Sequence, residues 1–197
     1  MLIHICGWVN LETFEGNLDN IVTGGNIFSG CTNLRNFKGN LPKLVEDNYL
    51  FRNKTSLETV ETSNLDNIIT GEFIFSGCTS LTRFKGNLPN LTDSTKIFKD
   101  CKDTLTTFEG DLSNLTDGSD MFNGCSSLTT FEGDLSSLEN GKRMFLDCTS
   151  LTSFEGNNLN NITETVGMFS GCSSLTTFER DDLSKLKCTV SMFKRLR

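Results

Sequence analysis

The sequence predicts a solenoid of about eight short repeats wound into one coil, with a parallel β-sheet along one side. Three observations carry this expectation. Cys78, Cys101, Cys125, Cys148 and Cys172 recur every 23 or 24 residues, and Cys31 and Cys6 extend the series upstream. The chain holds 16 Phe residues beside one Trp, one Tyr and one His, so a single aromatic slot is filled repeatedly. Self-similarity at a period of about 20–50 residues marks stacked architectures, in which each unit buries its apolar face only against its neighbours.

The template is clearest from Cys125 onward: C-S-S-L-T-T-F-E-G-D-L-S-S-L-E-N-G-K-R-M-F-L-D-C. Its first leucine recurs as Leu11, Leu34, Leu57, Leu81, Leu105, Leu128, Leu151 and Leu175. Three residues later stand Phe14, Phe37, Val60, Phe84, Phe108, Phe131, Phe154 and Phe178. The segment L-x-x-F-x-G matches the strand of a leucine-rich repeat, with its first, fourth and sixth positions turned inward. Strand alternation then turns the third and fifth outward. Glycine at the inward sixth position (Gly16, Gly39, Gly86, Gly110, Gly133, Gly156) removes a side chain where two Phe rings per coil already fill the interior.

After the strand the chain turns and returns. Only Pro42 and Pro89 interrupt it, both just past a strand, where a missing N–H does little harm. Each return ends on an apolar pair: Ile27-Phe28, Leu50-Phe51, Ile74-Phe75, Ile97-Phe98, Met121-Phe122, Met144-Phe145, Met168-Phe169 or Met192-Phe193. The return is too short for a long helix, which leaves a 3₁₀ or single-turn helix. The residue before the cysteine slot is Gly30, Asn53, Gly77, Asp100, Gly124, Asp147 or Gly171. Gly, Asn and Asp best tolerate a left-handed backbone, so a fixed turn belongs there. The expected fold is therefore an α/β-type solenoid: a right-handed leucine-rich-repeat coil, sheet on one face, 3₁₀ or helical turns and loops on the other.

The domain reading follows. Residues 1–10 form an N-terminal cap or first strand, 11–193 a single repeat domain, and 194–197 a tail without an evident cap. A solenoid without a polar cap exposes its last coil. Phe193 and Leu196 are thus candidates for an end interface, covered by another copy, another chain or further residues.

Bulk properties narrow the function. The chain has 197 residues, a net charge of -7 and a pI near 4.8, which argues against nucleic acid or anionic membrane as a general partner. No run reaches the roughly 18 apolar residues of a membrane span. The start, M-L-I-H-I-C-G-W, has no basic segment, apolar stretch or cleavage site of a signal peptide.

Catalysis has little to build on. With a single His, His4, no Ser-His-Asp or Cys-His set can form, and the glycines belong to the repeat rather than to a phosphate loop. A spacing of 23 or 24 contains no C-x-x-C pair, so zinc is not expected. Stacked cysteines point the same way, which suits buried reduced thiols better than disulfides, and Lys54 stands where one cysteine would be. Cys6 and Cys188 leave the register and are expected at the surface. No cofactor is implied.

The outward strand positions are the candidate binding face. The third reads Thr13, Asn36, Thr59, Arg83, Thr107, Thr130, Ser153 and Thr177; the fifth reads Glu15, Lys38, Glu61, Lys85, Glu109, Glu132, Glu155 and Glu179. Acid and base alternate in the first half, where cross-strand ion pairs can form. Four glutamates stack in the second half, about 4.8 Å apart. This face is either a solvated charged surface or an acidic strip for a basic partner. Calcium at Glu109, Glu132 and Glu155 is the weaker variant, with Asp111 and Asp134 alongside. One turn is irregular, with Lys54 for Cys, Val60 for Phe and Thr62 for Gly; drift, a bend or a specificity site would each explain it.

Met121–Thr129 (M-F-N-G-C-S-S-L-T) and Met168–Thr176 (M-F-S-G-C-S-S-L-T) resemble the repeats of BspA-like leucine-rich-repeat proteins of bacterial surfaces. The resemblance covers roughly residues 6–193. It implies a cell-surface or extracellular protein used in adhesion or host contact, without catalytic residues. The family often carries a second aliphatic residue where this chain has glycine. The residues alone, lacking an export signal, leave a cytoplasmic location open. Two functions follow: a protein-binding module presenting its strand face, or a structural protein assembling through its solenoid ends or sides.

Overall fold

The computed structural model describes residues 5–45, 49–62, 65–154, 159–178 and 192–193, and of Lys85 the backbone only. Each L-x-x-F segment becomes a short strand: β1 Thr13–Glu15, β2 Asn36–Lys38, β3 Thr59–Glu61, β4 Arg83–Lys85, β5 Thr107–Gly110, β6 Thr130–Gly133, β7 Ser153–Phe154 and β8 Thr177–Phe178. β1 to β6 pair in parallel in sequence order, slot on slot: Phe14 faces Phe37 and Glu109 faces Glu132. β7 and β8 pair the same way. Coil follows coil across β6 and β7 too, where the Thr152 N–H donates to the Thr129 carbonyl at 3.5 Å.

The apolar slots build the core. Leu34, Leu57, Leu81, Leu105, Leu128 and Leu151 are fully enclosed, as are Phe37, Phe84, Phe108 and Phe154. The rings form two columns. Phe108 stacks on Phe131 at 5.5 Å on the strand side, and Phe98 on Phe122 at 5.4 Å on the return side. The columns meet edge to face, as in Phe108–Phe122 at 5.1 Å. Burying a ring stabilises by about 1.5–3 kcal/mol and a favourable ring pair by about 0.5–1.5 more, so these columns dominate the cohesion between coils.

The glycine slot lies at the groove surface rather than in the interior, confined by the ring of its own coil and, at Gly39 and Gly110, more closely by the carbonyl oxygens of Gly16 and Gly86 one coil back. A Cβ on Gly133 would stand 2.6 Å from the Phe131 ring, and one on Gly110 would stand 3.1 Å from the Phe108 ring. The irregular turn shows the same constraint in reverse. Where Val60 replaces Phe, the shorter side chain leaves room, and Thr62 replaces Gly. The two exceptions are one compensated change.

The return differs from expectation in one respect. Among the described residues it contains no helix but consecutive hydrogen-bonded turns. Alternate N–H groups are taken by the next coil: Asp120 donates to Lys142, Phe122 to Met144 and Gly124 to Leu146, at 2.8–3.0 Å. Left-handed residues bracket six of these segments, as at Asp120 (φ 57) and Gly124 (φ 81), and block helical propagation.

All seven residues before the cysteine slot have positive φ, as their types required. Glycine alternates with Asn or Asp along this column, and the structure gives the reason. The side-chain Oδ1 of Asn53, Asp100 and Asp147 occupies the place of a Cβ on Gly77, Gly124 and Gly171.

Polar side chains tie the corners. Asn90 and Asn114 donate to the Asp66 and Pro89 carbonyls of the preceding coil, both at 2.6 Å. Thr129 and Thr176 donate to Thr106 and Thr152 at 3.0 and 3.2 Å. At the first coil Ile5 is buried, whereas Trp8 is 59% exposed and lies away from the core.

Candidate functional site

The strand face carries a groove of about 1490 Å³. Its floor is made by the glycine column (Gly16, Gly39, Gly86, Gly110, Gly133), where absent side chains let the surface dip beside the charged fifth position. Seven expected residues line it: Glu15, Lys38, Thr59, Glu61, Arg83, Glu109 and Glu132. The groove is thus displaced toward the C-terminal ends of the strands.

Thr13, Asn36, Thr107, Thr130, Ser153 and Thr177 lie on the same face but outside the groove lining. Thr59 donates to the Asn36 Oδ1 at 2.8 Å, so this column is partly self-satisfied. Lys85 stands in register between Glu61 and Glu109. Glu155, Glu179 and Leu196 fall outside the described residues. Phe193 is 37% exposed, stacked on Phe169 at 5.7 Å.

Post-strand residues complete the wall. Asn17, Asn40 and Asn87 line the groove without having been singled out; their signal is a polar residue directly after the glycine in successive repeats. Asp111 and Asp134 join them. Each lends an oxygen to its own turn, accepting from the Ser113 and Ser136 N–H at 2.9 and 2.8 Å. That is the ordinary capping work of an aspartate after a strand. Among the described residues no group of three or more His, Cys, Asp or Glu gathers as a metal site.

Charge divides the groove. Lys38 and Arg83 lie among Glu15 and Glu61 in its first half, and Glu109, Asp111, Glu132 and Asp134 make the second half acidic. The expected straight pairs between Glu15, Lys38 and Glu61 do not close to within 4.0 Å. Ion pairs form instead between Arg35 and Glu58, beside this column, and diagonally between Arg83 and Glu109 at 3.5 Å. Both pairs are exposed, so each contributes about 0–1 kcal/mol. The groove charges remain largely available to a partner.

The cysteines lie elsewhere, on the return edge of the core. Cys31, Cys78, Cys101, Cys125, Cys148 and Cys172 are free and buried, and Cys6 is exposed. Each buried thiol donates to a carbonyl one coil back: Cys78 to Phe51 at 3.0 Å, Cys125 to Phe98 at 3.2 Å, Cys172 to Phe145 at 3.1 Å. Burial pushes the Cys78 and Cys172 thiols up to about 12 and holds Cys101, Cys125 and Cys148 well above the usual thiol range. Nucleophilic chemistry needs the thiolate, so these are packing groups.

A coil of stacked strands with an open, charged groove and inert thiols defines a β-solenoid repeat protein. The chain belongs to the family described as the BspA type leucine-rich repeat region, which it matches in six copies over residues 6–117 and 93–193. It is also similar to a solved leucine-rich repeat protein from Bacteroides ovatus, at 20% identity and a TM-score of 0.32. That match covers 86% of this chain and 66% of the other, so the chain spans just under two thirds of that protein's length. No curated protein matches the chain. Among the described residues no helix is long and apolar enough to cross a membrane.

Proposed function

We propose that this chain is a non-catalytic protein-binding module of a surface-type repeat protein, taking its partner in the strand-face groove. The observation that carries this reading is the groove itself: about 1490 Å³, lined by the glycine column and by charged side chains, of which Glu15, Lys38, Glu61 and Glu132 have no ion pair among the described residues. A basic segment is the natural occupant of the acidic half, because Glu109, Asp111, Glu132 and Asp134 gather there. The surface location and the adhesive role rest on the family's character.

Biolayer interferometry against a panel of immobilised extracellular proteins tests this. Wild type is compared with Glu109→Gln/Glu132→Gln and with a return-side control, Lys99→Ser. Salt-sensitive binding to a panel member, weakened at least tenfold in the groove variant only, supports the reading. Equal binding by wild type and both variants, or binding to none of the panel, overturns it.

A second reading is assembly through the coil ends. Phe193 closes the return-side ring column half-exposed, while Trp8, Val9 and Val22 are exposed at the first coil. Light scattering over a concentration series decides it: a mass that rises with concentration favours assembly, and a constant monomer mass excludes it.

A further inference from the structure

The irregular turn carries a second, differently built recess on the return side, away from the groove. It lies between the first and second coils, holds about 380 Å³, and is lined by Asn26, Ser29, Tyr49, Arg52, Asn53 and Lys54. Its composition runs against the rest of the molecule. The chain is acidic overall at -7, yet this lining holds two cations, two amides and two hydroxyls, with no carboxylate.

Both cations stand at slots where the flanking coils carry neutral residues. Arg52 takes the place of Ser29 and Ser76, and Lys54 that of Cys31 and Cys78. Small side chains in the first coil leave space beside long ones in the second, which is what opens the recess.

The guanidinium is positioned. Tyr49 and Phe73 stack at 5.9 Å, and the Arg52 carbon lies 5.2 and 4.8 Å from their ring centres. Such contacts draw the guanidinium onto the ring faces. Among the described residues neither Arg52 nor Lys54 has a carboxylate within ion-pairing distance. A fork held by rings, a point charge beside it and neutral donors around it match the demands of a tetrahedral oxyanion.

We propose that this recess is a binding site for a phosphate or sulfate group, carried by a small molecule or free in solution. Arg52 supplies paired N–H donors, Lys54 the second charge, and Asn26 and Ser29 neutral donors. The volume exceeds what one oxyanion fills, which leaves space for the organic part of a monoester.

The test is calorimetric titration of the full chain with inorganic phosphate, sulfate and glycerol phosphate at constant ionic strength, set by chloride. The variants are Arg52→Ser and Lys54→Cys, each restoring the residue of neighbouring coils and so expected to keep the fold. Arg52→Gln and Lys54→Met serve if either melts early. Lys99→Ser removes one charge outside the recess. Saturable binding of at least one probe, weakened at least tenfold by each recess variant but less than twofold by Lys99→Ser, is the expected result. Tighter binding of glycerol phosphate identifies a monoester site, and equal binding a free anion. The proposal is overturned if no probe binds, if the recess variants bind as wild type does, or if Lys99→Ser weakens binding equally.

Discussion

The edge of the Phe131 ring lies 2.6 Å from the point where a Cβ on Gly133 would stand, so one residue's size fixes its neighbour's identity two positions on. Gly133→Ala is expected to destabilise by about 1–3 kcal/mol through overpacking. Phe131→Val loses ring packing, but the double variant pairs Val with a side chain at the glycine slot, as Val60 and Thr62 do, and should lose less than the sum. Urea denaturation of both single variants and the double, read as a thermodynamic cycle, checks this. Strict additivity would mean that ring and glycine are independent.

Asp147 and Gly171 are coupled across coils by the same logic. Both have left-handed backbones (φ 59 and 81), and the aspartate side chain sits where the glycine has none. Asp147→Gly should cost under about 1 kcal/mol, because glycine adopts this φ freely. Gly171→Asp should cost more than about 2 kcal/mol, since it sets one carboxylate on another in a confined corner. Melting temperatures of the two variants give the comparison.

The thiol column makes a pH prediction. The folded-state values of Cys78 and Cys172, about 12, lie above that of a free thiol. Below the free-thiol pKa both states hold the proton, and stability is unaffected. Above it the unfolded chain ionises first, so stability falls from about pH 9 toward pH 12, by up to about 1.4 kcal/mol per unit for each buried thiol. Alkaline denaturation should therefore be shallower in Cys78→Ala than in wild type. With a thiol reagent at neutral pH, only Cys6 of the described cysteines should react before unfolding.

The groove makes an electrostatic one. Glu109 and Glu132 stand in register with like charge. Glu132→Lys should stabilise by about 0.2–1 kcal/mol at low salt and lose that gain as salt is raised. Denaturation midpoints at two ionic strengths are sufficient, and a salt-independent gain would point to packing instead.

Much of this was legible in the residues. Slot identity alone placed the strands, the register, the inward rings, the buried thiols and the seven left-handed turns at Gly30 through Gly171. The return was not. Asn26, Phe73, Lys96, Asp120, Arg143 and Gly167 share a left-handed backbone without sharing a residue type. Inter-coil hydrogen bonds such as Lys96 N–H to Ser119 at 3.1 Å and Arg143 N–H to Val166 at 3.0 Å hold the backbone there against local preference. The face of the candidate site was legible, but its position along the strand was not. That depends on where glycines lower the surface, a matter of relief rather than of charge.

The turn before the cysteines alternates over two coils once past the first. Gly30, Gly77, Gly124 and Gly171 are spaced 47 residues apart, and Asn53, Asp100 and Asp147 likewise. A duplication of two coils reproduces the alternation at both seams. A duplication or deletion of one coil brings glycine onto glycine, as Gly7 and Gly30 already stand, or acid onto acid. Only the acid-on-acid seam is penalised, so a coil can be gained or lost wherever its junction sets glycine on glycine, and the residue at the seam, more than the coil count, decides which lengths fold.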